Sequence, residues 1–440
     1  MALGLPRNTT SVTATTSERS YRGPLAMLTT IFFMWGFLTS LNDILIPHLK
    51  SIFDLNYFEV MLVQFFFFLA YAVVSIPAGI FIERVGYKPS MVVGLLIMGL
   101  GSLLFIPAAM VPSFPLFLVA LAVLATGITD LQVSANPYVA VLGPARTSSS
   151  RLTLTQAFNS LGTVLGPRLG AWLILGGATA YTAEQIAGMT AAQLHAYRIH
   201  QASTVKLPYL LIAIALLVLG IVIARFKLPQ IPAAEGGHKT EAGARDSIWR
   251  HRNLVMGSIA IFTYVGAEVA IGSFMVNYLH EPYIGNLTLE QAGTYLAFGY
   301  WFGAMVGRFA GSWVLRQISP RVVLGFNAVV AAALVCLSMA TTGQFAMWSI
   351  ILVGLFNSIM FPTIFTLGIE GLGPLTGEGS GLLNTAIVGG AVIPLIQGFI
   401  ADSIGIHHAF ILPVLCYLYI LIFAIKGTSR STSLATGTPA

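Results

Sequence analysis

Long apolar runs separated by short polar breaks follow one another along almost the whole chain. A helix that crosses the ~30 Å hydrocarbon layer of a bilayer needs roughly 20 mostly apolar residues. Twelve runs meet that length, at about 25–49, 57–82, 90–111, 114–142, 151–177, 207–228, 252–280, 291–315, 320–341, 345–369, 379–402 and 407–426. The pattern predicts an all-α membrane protein. The first 22 residues are polar and rich in Ser and Thr, without an apolar stretch leading to a small-residue cleavage site, and read as a disordered cytoplasmic tail. The residues after Lys426 read the same way. Between the sixth and seventh runs, PQIPAAEGGHKTEAGARDS mixes Pro, Gly and both charges and has no apolar core of its own. The expected organisation is a tail at 1–22, a six-helix bundle at 23–228, a cytoplasmic linker at 229–251, a second six-helix bundle at 252–426 and a tail at 427–440.

Composition narrows the class further. Of the 440 residues 56% are hydrophobic and only 9% are charged, with a mean hydropathy of +0.83. A soluble domain is about a quarter charged, so this chain cannot cover a water-facing surface. A soluble enzyme, a disordered hub and a nucleic-acid binder are excluded. The net charge of +6 reflects the basic loops of a membrane protein rather than a nucleic-acid partner. Cys336 and Cys416 sit in apolar runs with no ligand spacing around them, which argues against a disulfide framework or a zinc site. No nucleotide-binding loop and no long soluble segment are present, so neither ATP-driven transport nor catalysis is expected, and no cofactor beyond a coupling ion.

Lys and Arg set the expected orientation. With both termini inside, seventeen of the 22 fall in cytoplasmic segments, and the outer loops hold only Lys50, Arg198 and Lys206. Arg168 and Arg308 lie within spans.

An internal repeat supports the division into halves. Ala78 to Lys88 (AGIFIERVGYK) follows the second span, and Ala310 to Arg321 (AGSWVLRQISPR) follows the eighth. Each places a glycine five residues before an arginine, then a tight turn and a second cation. Glycine on a helix face lets a neighbour approach closely, and the cations can bind helix C-terminal carbonyls across the loop. Glu83, Arg84, Lys88 and Arg316 are therefore expected to be gating or structural groups. The Glu83-Arg84-Val85-Gly86-Tyr87-Lys88 loop resembles the loop signature of the major facilitator superfamily. That resemblance implies twelve transmembrane helices in two pseudo-symmetric bundles of six.

Other segments carry a narrower resemblance, to the fucose permease and glucose/galactose transporter family of bacteria. They are Leu41 to His48 (LNDILIPH), Ala135 to Val139 (ANPYV), Gln156 to Gly162 (QAFNSLG), Tyr264 to Glu268 (YVGAE), Gly307 to Gly311 (GRFAG), Pro362 to Phe365 and Gly389-Gly390. The resemblance runs over all twelve spans and implies cation-coupled uptake of a neutral monosaccharide by alternating access. Fucose–proton symporters resemble the chain at Asp43 but carry a glutamate where it has Gln132, and tend to an amide where it has Glu268. The pattern is nearer to the glucose/galactose and N-acetylglucosamine branch.

Ionisable groups at membrane depth cost about 2.5–3.5 kcal/mol each on insertion scales, and default to functional candidates. Asp43, beside Asn42 in the first span, is such a group. A poorly solvated carboxyl can hold a proton near neutral pH and discharge when a pathway wets it. The alternative is a structural carboxylate tied to amides or to a cation. Glu268, midway along the seventh span, reads as a second proton-coupling site, a sodium ligand or a direct sugar acceptor, or else as a silent partner of Arg308. Asp130 and Gln132 are two apart and project on different faces. Gln132, which the resemblance sets at the family's glutamate, is the expected sugar ligand, and Asp130 is as readily structural, for instance paired with Arg168. Gln156 and Asn159 share a face three residues apart. Gln64, Asn357 and Asn384 complete the amides at depth, where helix-to-helix bonding competes with ligand binding. The resemblance sets Asn159 at a substrate-facing position. Trp35 and Tyr264, like Tyr71, Trp301 and Phe361, can stack on a sugar's apolar face. Arg308 is expected to gate or brace by pairing with a carboxylate in one conformation. The sequence thus points to a monomeric carrier in the bacterial inner membrane that binds a neutral monosaccharide and a coupling cation, H+ or else Na+. A drug/H+ antiporter of the same fold fits less well, because its apolar cavity would not want these amides.

Overall fold

The computed structural model describes residues 21–53, 57–111, 113–170, 188–229 and 247–427, and only the backbone of 41–53, 57–64, 167–170 and five positions between 191 and 202. The expected tails and linker fall outside the described residues except at their inner edges. The long helices are α1 (Arg22–Phe53), α2 (Tyr57–Val85), α3 (Tyr87–Met110), α4 (Phe114–Val141), α5 (Ser148–Gly170) and α6 (Lys206–Arg225). They continue with α7 (Arg252–His280), α8 (289–314), α9 (Pro320–Ala340), α10 (Gly343–Gly368), α11 (Gly373–Ile404) and α12 (Ile406–Lys426). Their order and ends follow the apolar runs to within six residues, except that the expected end of the fifth run, at 177, lies outside the described residues. A short helix, Ala191–Ser203, lies in the loop before α6.

Ten of the twelve are long and apolar enough to cross a membrane. The two exceptions have physical reasons. In α5 the sequence SSSRLTLTQAFNSLG is too polar, and its Arg151, Thr153, Thr155, Gln156 and Ser160 are buried against other helices instead of facing lipid. In α8, Glu290, Gln291 and Thr294 near its start and Arg308 near its end lower the hydropathy, and a π-helical turn at Leu296–Trp301 interrupts the regular helix. Each bundle buries one face of its helices and leaves broad apolar surface exposed, Phe326, Leu395 and Phe399 among it, as a lipid-facing protein requires.

The repeat seen in the sequence is a repeat in space. Helices α1 and α5 approach so closely that a methyl at Gly36 would overlap the Asn159 carbonyl, and one at Gly162 the Phe33 carbonyl. Helices α7 and α11, which hold the same places in the second half, meet through Gly389 and the Phe262 carbonyl. Lys88 donates to the Ala224 carbonyl at the end of α6 (2.8 Å), and Arg321 lies against Gly427 at the end of α12. Lys88 matches the expectation that such cations bind helix C-terminal carbonyls; Arg321 pairs instead with Glu370 at 3.9 Å and makes no hydrogen bond to a carbonyl among the described residues.

The halves are joined at the end that carries the basic loops. Glu83 accepts from the backbone N–H of Glu378 at the start of α11 (3.1 Å), and the Ser380 hydroxyl donates to the Val133 carbonyl on α4 (2.8 Å). The Ser149 and Thr366 hydroxyls meet at 2.6 Å, Ser150 donates to the Ser312 carbonyl (2.5 Å), and Arg316 donates to Ser150 (3.4 Å). Gly79, Gly377 and Gly381 let α2 and α11 touch backbone to backbone.

Candidate functional site

Seven helices from both halves converge on a central cavity of about 140 Å3. It is lined by Trp35 of α1, Gln132 of α4, Gln156 of α5, Tyr264, Val265 and Glu268 of α7, Arg308 of α8, Phe361 and Pro362 of α10 and Ile387 of α11. Six of the residues proposed from the sequence therefore meet in one place, together with Phe361. A larger cavity of about 820 Å3 opens among the loops at the basic end, where Arg146, Arg321 and Glu370 supply its charge. It gathers none of the expected sugar ligands, so size does not locate the site here; the chemistry of the lining does.

The polar groups of the central cavity are arranged in two sets. On the side of the first half, Gln156 donates to the Asn136 side-chain oxygen at 3.4 Å, and Gln132 Oε1 is buried with no partner among the described residues. An amide so placed offers both a donor and an acceptor to a ligand. On the side of the second half, the Tyr264 hydroxyl donates to Glu268 Oε1 at 2.7 Å, one helical turn away, and Arg308 Nη2 stands 3.6 Å from the same oxygen. Arg308 also donates to the Ser358 carbonyl (3.1 Å) and to the Ser160 hydroxyl across the halves. One guanidinium thus touches the cavity carboxylate, its own bundle and the opposite bundle. Tyr264 and Trp35 are nearly fully buried, and Phe361 is 8% exposed, so the aromatic faces are sheltered from water.

Behind α7 lies a closed network. Tyr300, in the π-turn of α8, donates to the Glu268 backbone carbonyl (3.3 Å); Asn357 donates to Tyr300, and Tyr417 donates to Asn357 at 2.7 Å. Asn357 therefore braces the backbone that carries Glu268 and does not line the cavity. Asn159 donates to the Phe32 carbonyl of α1 (3.0 Å) and ties α1 to α5. Asn384 sits one turn from Ile387 and donates to the Ser380 carbonyl (2.9 Å), below the cavity. Asp130 faces α3, where Ser90 donates to its Oδ1 at 3.0 Å and Gly94 lies against it. Glu83, Lys88 and Arg316 have the contacts described above, and Arg84 is exposed. Asn42 and Asp43 lie on α1, seven and eight residues beyond Trp35, and Gln64 and Arg168 lie on α2 and α5; the side chains of all four fall outside the described residues. Ser160, Ser358 and Asn136 were not singled out as site residues from the sequence. Ser160 and Asn136 fall inside the quoted motifs, but nothing in the chain marks Ser358.

The model of the Major Facilitator Superfamily matches residues 27–388. The chain is 50% identical over 428 residues to the "Glucose/galactose transporter" of Brucella abortus, covering 97% of this chain and 100% of the relative. It is 35% identical over 420 residues to the "L-fucose-proton symporter" of Escherichia coli, covering 94% and 95%. A crystal structure of the transporter FucP in the outward conformation superposes with a TM-score of 0.87 at 34% identity, over 93% of this chain and 100% of that one. With the fold, the repeat and the relatives in agreement, the chain belongs to the major facilitator superfamily, in its fucose permease and glucose/galactose transporter family.

Proposed function

We propose that this protein is a secondary active transporter, not an enzyme, that imports a neutral monosaccharide by symport with H+. The observation that carries the reading is the central cavity, where an amide pair from one half faces a tyrosine, a carboxylate and an arginine from the other, beside buried aromatic rings. Sugar hydroxyls donate to and accept from such groups, and a pyranose stacks on an aromatic face. The relatives named for glucose/galactose and for L-fucose with a proton support the substrate class and the ion. Within that class the reading is a glucose/galactose-type hexose or N-acetylglucosamine.

In the cycle we propose, Asp43 or Glu268 takes up the proton, and Gln132, Gln156 and Glu268 hold the sugar between the halves. The halves then rock about the site and release both inside. The joined basic end and the likeness to an outward-conformation structure support assigning this arrangement to the outward-facing state. The excess of Lys and Arg at that end supports an inner-membrane protein with both termini cytoplasmic, and a monomer suffices. A proton moving down 100 mV supplies about 2.3 kcal/mol, which corresponds to roughly 50-fold accumulation of a neutral sugar.

Uptake of radiolabelled glucose or galactose into proteoliposomes tests this, with a proton gradient and then a sodium gradient at fixed membrane potential. Accumulation driven by the proton gradient alone is expected. Accumulation that needs sodium would recast the carboxylates as ion ligands, and no hexose movement under either gradient would refute the sugar assignment.

A further inference from the structure

Below the central cavity, toward the basic end, four helices carry a file of buried polar side chains at helical spacing. On α5, Gln156, Thr153 and Ser149 follow one another at intervals of three and four residues, so they share a face. On α4, Asn136 lies one turn below Gln132; on α10, Thr363 lies one turn above Thr366; on α11, Asn384 lies one turn below Ile387 and one above Ser380. Gln132, Gln156 and Ile387 line the cavity, as does Pro362 beside Thr363. The file ends at the Ser149–Thr366 bond and at the Ser380 bond to Val133, which shut it.

The middle rank is Asn136, Thr153, Thr363 and Asn384, each with no exposed surface. Each has a polar atom that finds no partner among the described residues: Asn136 Nδ2, Thr153 Oγ1, Thr363 Oγ1 and Asn384 Oδ1. Buried polar groups are ordinarily paired, and leaving one unpaired is costly. Asn357, by contrast, is held on both sides, between Tyr300 and Tyr417. Helix packing alone would be served better here by Val, Leu or Ala. What the four unpartnered atoms have in common is their chemistry: an amide donor, an amide acceptor and two hydroxyls that do either, contributed by both halves. That set matches a ligand with several hydroxyl groups.

We propose that Asn136, Thr153, Thr363 and Asn384 form a second, release-side binding position for the transported polyhydroxy ligand, closed in this conformation and wetted when the basic end opens. The proposal rests on the sugar-transport reading. A ligand leaving the central cavity passes this rank, and its hydroxyls replace the partners that the closed state lacks. The position is therefore used from one face of the membrane only.

The test compares half-saturation for the wild-type substrate at the two faces, in right-side-out and in inside-out membrane vesicles. The variants are Thr153→Val and Thr363→Val, near-isosteric changes that remove an unpartnered hydroxyl, with Thr→Ser at the same positions as the rescue. Each Val variant is expected to raise half-saturation at the cytoplasmic face about fivefold, one neutral hydrogen bond, with the outer-face value unchanged and Ser restoring the first. Equal changes at both faces, or none at either, would overturn the proposal. Hexose uptake by the wild-type protein in right-side-out vesicles decides the functional reading separately, before any variant is compared.

Discussion

Ser160→Ala removes one hydroxyl and tests whether the Arg308 contact between the two halves favours the conformation in which the basic end is shut. Ser160 lies on α5, one turn above Gln156, and Arg308 on α8, so their hydrogen bond bridges the two bundles beside the central cavity and is lost when they part there. A hydrogen bond to a charged group contributes about 1.5–3 kcal/mol net. Arg308 would keep the Ser358 carbonyl at 3.1 Å and Glu268 at 3.6 Å, so it is not left orphaned and the lower figure applies. About 1.5 kcal/mol is roughly a tenfold rise in the ratio of open to closed forms. Ser312 offers a reporter: it is 5% exposed, packs at the closed interface, and its hydroxyl bonds only within its own helix, to Phe309. In a background lacking Cys336 and Cys416, the maleimide reaction rate of Ser312→Cys tracks the open fraction however small it is. The rate should rise about tenfold on adding Ser160→Ala. An unchanged rate would refute the reasoning, because the closed state would then owe nothing to this bond.

Further outcomes follow from the same geometry. Glu268→Gln keeps the shape of the side chain but not its charge, and should abolish proton-driven accumulation while sugar counterflow persists; full accumulation would remove Glu268 from coupling. Asp43→Asn should behave likewise in the same pair of assays. Tyr264→Phe loses the 2.7 Å bond to Glu268, worth about 1.5–3 kcal/mol to a charged acceptor, and should raise half-saturation for sugar about tenfold or more if the carboxylate is held in place for the ligand. Gly36→Val would drive a side chain into the Asn159 backbone and should abolish the monodisperse folded peak in size-exclusion chromatography. By contrast Gly293→Ala, with nothing within 4 Å of the added carbon, should leave that peak intact and raise stability by about 0.5–1 kcal/mol.

Much of this architecture is dictated locally. A run such as Leu207 to Ile223 can do little but form a membrane helix, because in hydrocarbon every backbone group must be satisfied within the segment. Twelve such runs and the glycine–arginine repeat were therefore legible from the chain, as was Lys88 as a cation at a helix end. So was the chemistry of Gln132, Gln156, Glu268 and Arg308, because polar groups at membrane depth are scarce and costly. Which of those groups share a cavity was not legible. Asn357, Asn159 and Gln132 are alike as amides in apolar surroundings; one braces α7, one ties α1 to α5, and one faces the cavity with its oxygen unpartnered. The difference lies in which neighbour each helix face meets, and that depends on residues far away in the chain. Asp130 and Gln132 show it within a single turn, one buried against α3 and the other lining the site. Ser160 is a hydroxyl like many others until folding brings it to Arg308, 148 residues away. The sequence by itself determines that this chain crosses the membrane and which side chains can carry its chemistry. Only the packing of the two halves decides which of them act together, because helix contacts in a bundle are set by long-range approach and not by local pattern.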